Sequence, residues 1–318
     1  MMWTVAWAVG WTAAILAGAC DQRSSQKLAA ASTQPARSAT TTSSSTQSSP
    51  ATGIKVASLV PAATDLIIGM GAGDHLIAVS NYDTGEIGTR QVPRVGDYQN
   101  TDWETLAQLR PHVMVIQMVK ERLPAGFLQK AERLNISLVN VRFDSLDDIL
   151  ATTRRLGTEI GEPRKGEELS GKLAARVEAL RKRNAGRKPV RTLLALDETG
   201  RALVGAGTYL DDLLRAAGGE NAAASLPGMW PTADQEMLLT LKPDVVIVLN
   251  PGGKPAVLDK AKALWRSVPN APAGAKGRVY LLNEPFVLLP GAHVADVAEA
   301  IARCISVSVA DPAGEGKP

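Results

Sequence analysis

The stretch DWETLAQLRPHVMVIQ at residues 102–117 has a second copy in the same chain, DQEMLLTLKPDVVIVL at residues 234–249. In both copies an Asp precedes a short segment with Leu at i and i+3, a Pro follows, and then an apolar run rich in β-branched residues. Asp before the first turn and Pro after the last are typical of helix boundaries. The apolar run is typical of a buried strand. The chain therefore contains the same helix–turn–strand unit twice.

Strand and helix patterns alternate on both sides of each copy. Strands alternating with helices indicate βα units and a mainly parallel sheet in each half of the chain. The predicted strands are residues 54–60, 75–80, 112–117, 136–141, 191–196, 244–249 and 278–282.

Between the halves lies PRKGEELSGKLAARVEALRKRNAGRK, residues 163–188. Its apolar residues recur every three to four positions and most of its other positions are charged, which predicts one long amphipathic helix without a partner strand. The predicted fold is therefore α/β, with two βα lobes, each built on a mainly parallel central sheet, joined by a single long interdomain helix. The predicted lobes are residues 54–162 and 189–308, with a disordered tail at 309–318.

The N-terminal segment, residues 1–20, is an uncharged apolar run that ends in small residues before Cys20. It resembles a bacterial lipoprotein signal, in which the cysteine is lipidated and becomes the mature N-terminus. The alternative is an uncleaved membrane anchor, since about 18 apolar residues nearly span a bilayer. Residues 21–52 are rich in Ser, Thr, Gln, Pro and Ala, which predicts a disordered tether. Both alternatives predict an extracytoplasmic protein attached to a membrane.

Charge and cysteine content exclude some classes of protein. With 35 basic and 32 acidic residues the formal net charge is only +3, and no basic block with interleaved aromatic residues occurs, so nucleic acid is not an expected partner. Cys304 is the only cysteine besides Cys20. If Cys20 carries lipid, no disulfide can form within the chain. The helical spacing of Cys304 with Val297 and Ile301 predicts a buried core thiol.

Five fragments, in this order, resemble a known family. They are IKVASLVPAATDLIIGMGAGDHLIAVS, VPRVGDYQNTDWETLAQLRPHVMVI, YLDDLLRAAGGENAA, WPTADQEMLLTLKPDVVIV and GRVYLLNEPFVLLPG. Over residues 54–308 the chain is similar to the class III substrate-binding proteins of ABC importers, the group that captures vitamin B12, haem and ferric siderophores. The resemblance implies a monomeric binding protein that is not an enzyme, with two lobes held by a rigid helix.

The repeated acids, Glu104 and Glu236, have two interpretations. From the pattern alone, a glutamate in the first turn of a helix is favoured by the helix dipole. In the family, one exposed glutamate on each lobe docks against arginines of the importer's membrane subunits, which form an approximately twofold dimer. Carboxylate–arginine pairs suit such docking because they are charge-assisted and reversible. The resemblance therefore implies that Glu104 and Glu236 contact the importer.

By motif position, the resemblance also predicts the residues that contact the ligand. They follow strands in both lobes, where open α/β sheets bind ligands, and are Tyr82, Tyr98, Met118, Trp230 and Phe286. Aromatic walls suit a large flat ligand, so a cobalt corrinoid or an iron chelate is the expected cargo, with no resident cofactor and no metal site of the protein's own. The alternative for each aromatic residue is core or lobe–lobe packing. Tyr98 and Met118 stand where vitamin B12-binding relatives carry tryptophan.

Haem is the second expected ligand, since Tyr82 or Tyr98 could serve as its axial ligand. The three histidines, His75, His112 and His293, are scattered and lack the spacing of a metal cluster, which argues against a zinc or manganese receptor. An anionic siderophore would need converging arginines, for which the candidates are Arg94, Arg142 and Arg201.

A two-lobed nucleotide-using transferase is the alternative from another class of protein. Its only support is GAGTYL at residues 205–210, which lacks the third glycine of a dinucleotide-binding loop and the lysine of a P-loop. No nucleophile elbow, CxxC motif or His–carboxylate cluster occurs. The sequence therefore predicts no catalytic residue.

Overall fold

The computed structural model describes residues 53–83, 92–118 and 123–310, all of which belong to one compact unit. The predicted leader and tether lie outside the described residues, as does the tail from residue 311 onward. No helix within the described ranges is long and apolar enough to cross a membrane.

The first lobe is a four-stranded parallel sheet with the strand order β2-β1-β3-β4. Its strands are β1 (Val56–Ser58), β2 (Leu76–Val79), β3 (Val113–Ile116) and β4 (Ser137–Asn140). Its helices are α1 (Pro61–Gly69), α2 (Trp103–Leu109), α3 (Phe127–Arg133) and α4 (Leu146–Glu159). Helix α4 begins with a capping box, in which Ser145 and Asp148 each accept the other's backbone N–H.

Helix α5 (Pro163–Asn184) joins the lobes, as the charged amphipathic segment predicts. Its first residue is Pro163, whose lack of an N–H costs nothing there, because the first N–H groups of a helix have no partner within the helix. The four apolar residues at helical spacing are all buried: Leu169, Leu173, Val177 and Leu180. The helix ends at Asn184, four residues before the predicted boundary at 188. The next residue, Ala185, is in an extended conformation (φ −58°, ψ 136°).

The second lobe repeats the first, with the parallel strand order β6-β5-β7-β8. Its strands are β5 (Val190–Ala195), β6 (Gly219–Asn221), β7 (Val245–Leu249) and β8 (Val279–Leu282). Its helices are α6 (Tyr209–Ala216), α7 (Gln235–Leu241), α8 (Pro255–Ser267), α9 (Pro272–Ala275) and α10 (Val294–Ala310). The sequence pattern predicts neither β6 nor α9, and α10 extends two residues into the predicted tail.

The two copies of the repeat start and end in the same way. Asp102 caps α2 by accepting the backbone N–H of Thr105, and Asp234 caps α7 by accepting that of Met237. Both helices then end on a left-handed residue, Arg110 (φ 51°) and Lys242 (φ 42°), before the proline that leads to the strand. The repeat in the sequence is therefore a repeat of structure.

One apolar core runs through both lobes. Val113 and Val115 of β3 face this shared core, whereas Met114 of the same strand faces a separate cluster beneath α2 and α3. Successive residues of a strand point to opposite faces, so each sheet is buried on both sides. The shared core contains residues of α1, α4 and α5 together with residues of α6 and α10 from the second lobe. The two sheets are thus bound to one common helical layer.

Candidate ligand-binding site

The five predicted ligand residues all lie beyond the carboxyl ends of strands. Tyr82 follows β2, Met118 follows β3 and Phe286 follows β8. Tyr98 belongs to a segment that a parallel bridge joins to the end of β2, and Trp230 to one that pairs with the chain after β5. In each all-parallel sheet these ends share one edge.

Tyr82 and Tyr98 are brought together around Asp97. Tyr82 is 61% exposed and hydrogen-bonds to the Asp97 carboxylate, and Tyr98, 36% exposed, lies close enough to interact with Tyr82 electrostatically. The negative charge of Asp97 raises the pKa of the Tyr82 phenol above its ordinary value. Tyr82 is therefore held in its neutral form, as a hydrogen-bond donor with an open ring face. The sequence gives no sign of this role for Asp97.

The loop that carries Tyr98 is closed by the same aspartate. Asp97 Oδ1 accepts the backbone N–H groups of Gln99 (2.7 Å) and Asn100 (2.8 Å). Gly96 has a φ of 87°, and a Cβ atom there would lie 1.9 Å from the Asn100 carbonyl oxygen. Only glycine fits this position. The loop therefore has one compact conformation that presents Tyr98 to solvent.

Met118 is held by its backbone. Its N–H donates to Asn140 Oδ1 (2.9 Å) and its carbonyl accepts from Asn140 Nδ2 (2.6 Å). Asn140 is the last residue of the neighbouring strand β4. The end of β4 therefore fixes the backbone of Met118 beyond the end of β3. The half-buried Met118 side chain is free of this contact.

Trp230 is carried on an arm that pairs with the chain after β5. Leu203 N–H donates to the Pro231 carbonyl (3.0 Å) and Gly205 N–H to that of Met229 (2.9 Å). A Cβ atom at Gly205 would lie 2.3 Å from the Gly228 carbonyl oxygen, so the close approach of the two segments requires glycine. The ring is partly buried and packs against the shared core. Trp230 is thus anchored on one side and half open on the other.

Phe286 stacks on His293, with ring centroids 4.3 Å apart and an interplanar angle of 20°. His293 Nδ1 lies 3.1 Å from Asp296 Oδ2, and its Nε2 lies 3.9 Å from Asp65 Oδ1 of the first lobe. Among the described residues no hydrogen bond or ring stacking joins Phe286 or Trp230 to the two tyrosines. The structure therefore pairs the tyrosines, and connects Phe286 to the junction between the lobes.

Asp65 of α1 is the centre of that junction. Its side chain is buried (residue 2% exposed), and Oδ2 accepts the Ala292 N–H of the second lobe at 2.6 Å. Burial raises the pKa of the Asp65 carboxyl, while the Ala292 N–H and the His293 charge oppose that shift. Gly291 makes the approach possible, since a Cβ atom there would lie 2.1 Å from Asp65 Oδ2.

Further contacts hold the lobes together. Arg176 of the joining helix α5 binds Asp296 (2.6 Å) and Glu299 (3.0 Å) of α10. Asp212 of α6 accepts the Leu146 N–H of α4 at 3.0 Å. The junction therefore consists of specific polar contacts as well as the shared core.

The other two histidines contact backbone groups, and His75 Nε2 also lies 3.5 Å from Glu162 Oε1. His75 Nδ1 lies 2.8 Å from the Ile54 carbonyl oxygen, and His112 Nδ1 accepts the Lys55 N–H at 2.9 Å. Within the described ranges no group of three or more His, Cys, Asp or Glu side chains could hold a metal ion. Cys304 is half-buried against the core rather than fully buried, and burial raises its pKa to about 11.

The three candidate arginines do not converge. Arg94 donates to the backbone carbonyls of Ser80 and Asp83, and Arg142 pairs with Asp144 at 2.9 Å. Arg201 is exposed, and its guanidinium makes no hydrogen bond or ion pair within the described residues. Arg94, Arg142 and Arg201 therefore form no cluster that could bind a carboxylate-rich siderophore.

Glu104 and Glu236 occupy equivalent, exposed positions in the first turns of α2 and α7. Neither carboxylate forms an ion pair within the part of the chain that the structure describes. The caps of these helices are Asp102 and Asp234, so the glutamates are not needed to satisfy the N-terminal backbone groups.

Known proteins with related sequences or folds include proteins named for the binding of vitamin B12 or haem. Residues 56–285 match the family model described as periplasmic binding protein. The vitamin B12-binding protein of Yersinia pestis (strain Pestoides F) is 26% identical over 211 residues, 66% of this chain and 74% of that protein.

Two solved structures share the fold. The periplasmic vitamin B12-binding protein of Vibrio cholerae has a TM-score of 0.66 and 22% identity, covering 81% of this chain and 98% of that one. The periplasmic haem-binding protein of Roseiflexus sp. RS-1, in its apo form, has a TM-score of 0.64 and 21% identity, covering 80% and 98%. The family match, over most of both lobes, identifies this chain as a member of the periplasmic binding protein family, a solute-binding protein and not an enzyme.

Proposed function

We propose that this protein is the extracytoplasmic receptor of an ABC importer, which captures a cobalt corrinoid or an iron chelate between its lobes and delivers it to the membrane subunits. The observation that carries the proposal is the position of the exposed Tyr82 and Tyr98 and the half-open Trp230 beyond the carboxyl ends of strands in the two lobes. Flat apolar ligands are bound by such aromatic faces.

A corrinoid is the first choice of ligand and haem the second. The Yersinia pestis relative described above is named for vitamin B12, and the two structural neighbours are named for vitamin B12 and for haem. Ferric haem would need an axial oxygen or nitrogen ligand. Asp97 raises the pKa of Tyr82, which opposes the tyrosinate that iron prefers. Tyr82 therefore suits contact with a ligand face better than ligation of iron.

The ligand class is tested by calorimetric titration of the protein with cobalamin, cobinamide, haemin and several ferric siderophores. Binding of cobalamin or cobinamide at micromolar concentration or below is expected, and Trp230→Ala should weaken it about tenfold or more, as truncation of a buried aromatic anchor does. Trp103→Phe is the matched control, because Trp103 packs edge-to-face against Phe127 beneath the first sheet (centroids 4.9 Å apart, interplanar angle 74°). If none of these compounds binds, the ligand assignment is wrong.

We also propose that Glu104 and Glu236 are the contacts with the importer. Two exposed carboxylates that form no ion pair with any described residue, at equivalent positions in two similar lobes, suit a membrane dimer that offers the same arginine twice. The protein would act as a monomer, anchored through Cys20 as a lipoprotein, so that it stays near the importer.

Docking is tested with Glu104→Gln, Glu236→Gln and the double variant, measuring complex formation with the membrane subunits alongside ligand affinity. Each change should weaken the complex and the double change should weaken it most, with ligand affinity intact, since loss of a buried interfacial charge pair costs about 2–5 kcal/mol. Glu132→Gln, an exposed acid on α3, is the matched control. An unchanged complex in the double variant would reduce the repeated glutamate to a residue favoured by the helix dipole.

A further inference from the structure

A groove of about 570 Å³ lies between the C-terminal end of α5 and the C-terminal half of α10. Its apolar lining comes from Leu180, Ala302 and Val307, of which Val307 is 57% exposed. Three arginines line the same groove: Arg183, Arg187 and Arg303. The groove therefore combines an apolar surface with three converging cations.

The second feature of the groove is the exposure of its three arginines. In residues 53–83, 92–118 and 123–310 none of them forms an ion pair, and all three are exposed. Glu299, the one acid among the described residues that line the groove, is already bound by Arg176, whose Nε lies 3.1 Å from Glu299 Oε1. The groove thus offers three guanidinium groups to an external anion.

The helix dipole explains only part of this cluster. Arg183 lies in the last turn of α5, where a cation is favoured. Arg187 lies beyond the end of that helix and Arg303 belongs to α10, so the dipole of α5 does not account for their convergence.

The groove lies at the opposite edge of the second lobe from the proposed ligand and docking residues. Helix α10 follows β8 and returns antiparallel to it, so the C-terminal end of α10 lies at the amino edge of the sheet. Helix α5 leads into the start of β5, which is the same edge. Trp230 and Glu236 belong to the carboxyl edge. Occupation of the groove would therefore leave the ligand site open.

We propose that this groove binds the surface of an anionic phospholipid bilayer. Arginine forks bind phosphate oxygens in bidentate geometry, and the exposed Val307 beside them suits contact with the glycerol and upper acyl region. Basic residues near an anionic bilayer each add attraction. Bound in this way, the protein keeps its ligand edge away from the bilayer, so lipid binding and docking to an importer in the same bilayer exclude each other.

The test uses residues 49–318, which include both lobes and the whole groove. Its binding to phosphatidylcholine vesicles with and without phosphatidylglycerol is measured by co-sedimentation. We expect salt-sensitive binding to the anionic vesicles only. Replacing the three groove arginines with Gln should weaken it on the order of 100-fold, because each basic residue contributes a factor of about five.

The matched control is the replacement of three exposed arginines elsewhere, Arg133, Arg164 and Arg266, with Gln, which removes the same charge. This variant should keep most of the binding, and Val307→Asp should lose part of it. Unchanged urea midpoints establish that the variants fold. Absence of binding, or an equal loss in both triple variants, overturns the proposal. Displacement by inorganic phosphate, but not by sodium chloride of equal ionic strength, would also overturn it in favour of a small-anion site.

Discussion

Gly291→Ala tests the junction between the lobes most directly. The added Cβ would lie 2.1 Å from Asp65 Oδ2, at the point where that oxygen accepts the Ala292 N–H at 2.6 Å. Overpacking costs about 1–3 kcal/mol, and loss of a hydrogen bond to a charged group costs about 1.5–3 kcal/mol. Because both follow from the same methyl group, we expect the free energy of unfolding to fall by at least about 2.5 kcal/mol.

The assay is urea unfolding followed by circular dichroism, with Gly171→Ala as the matched control. Gly171 lies within α5, and a Cβ atom there meets nothing within 4 Å. Alanine at this position should stabilise the protein by about 0.5–1 kcal/mol, the difference in helix propensity. A loss below about 1 kcal/mol for Gly291→Ala would show that the junction rearranges cheaply, and the proposed importance of the Asp65 contact would fail.

Two further predictions concern the same junction. Because burial raises the pKa of Asp65, ionisation of its carboxyl opposes folding. The contribution of Asp65 to the free energy of unfolding is present in full below the ordinary carboxyl pKa and is lost as pH rises through the raised pKa of the folded state. Stability against urea should therefore fall between about pH 4 and pH 7, and Asp65→Asn should remove this decrease. A slope that is the same in both proteins would contradict this. The second prediction is that ligand leaves the radius of gyration from X-ray scattering nearly unchanged, since the single helix α5 and the shared core resist hinge closure. A large decrease on ligand addition would contradict it.

The fold could be predicted from the sequence wherever one local pattern governs one element. The apolar runs before and after Pro243 gave α7 and β7, and the spacing of Leu173 and Val177 gave α5. Strand β6 was missed because GEN contains no apolar or β-branched side chain and joins β5 through backbone pairing. This strand forms because its backbone pairs with β5, and the intrinsic strand propensity of its residues does not predict it.

The candidate site was predictable only in part. Motif position placed Tyr82 and Phe286 after strands, and they do follow β2 and β8, while their contact with a ligand stays a prediction. The partners of these residues, Asp97 and His293, could not be found in this way, because each contact depends on how separate loops meet in space. The Asp65–Ala292 hydrogen bond joins residues 227 positions apart and has no periodic signal. The only sign of this contact in the sequence is an aspartate, Asp65, within the largely apolar helix α1.

A chain with two copies of one unit suggests that each half could be made as a protein of its own, or exchanged with the half of a relative. The shared core opposes this. Leu173 and Val177 of α5 pack in one cluster with α1 and α4 on one side and with α6 and α10 on the other. A fragment that ends at residue 162 or begins at 189 would expose that apolar layer to water and would be prone to aggregate. A chimaera built from two relatives must therefore carry α5 and α10 from the same parent, and the ligand loops, rather than the lobes, are the units to exchange.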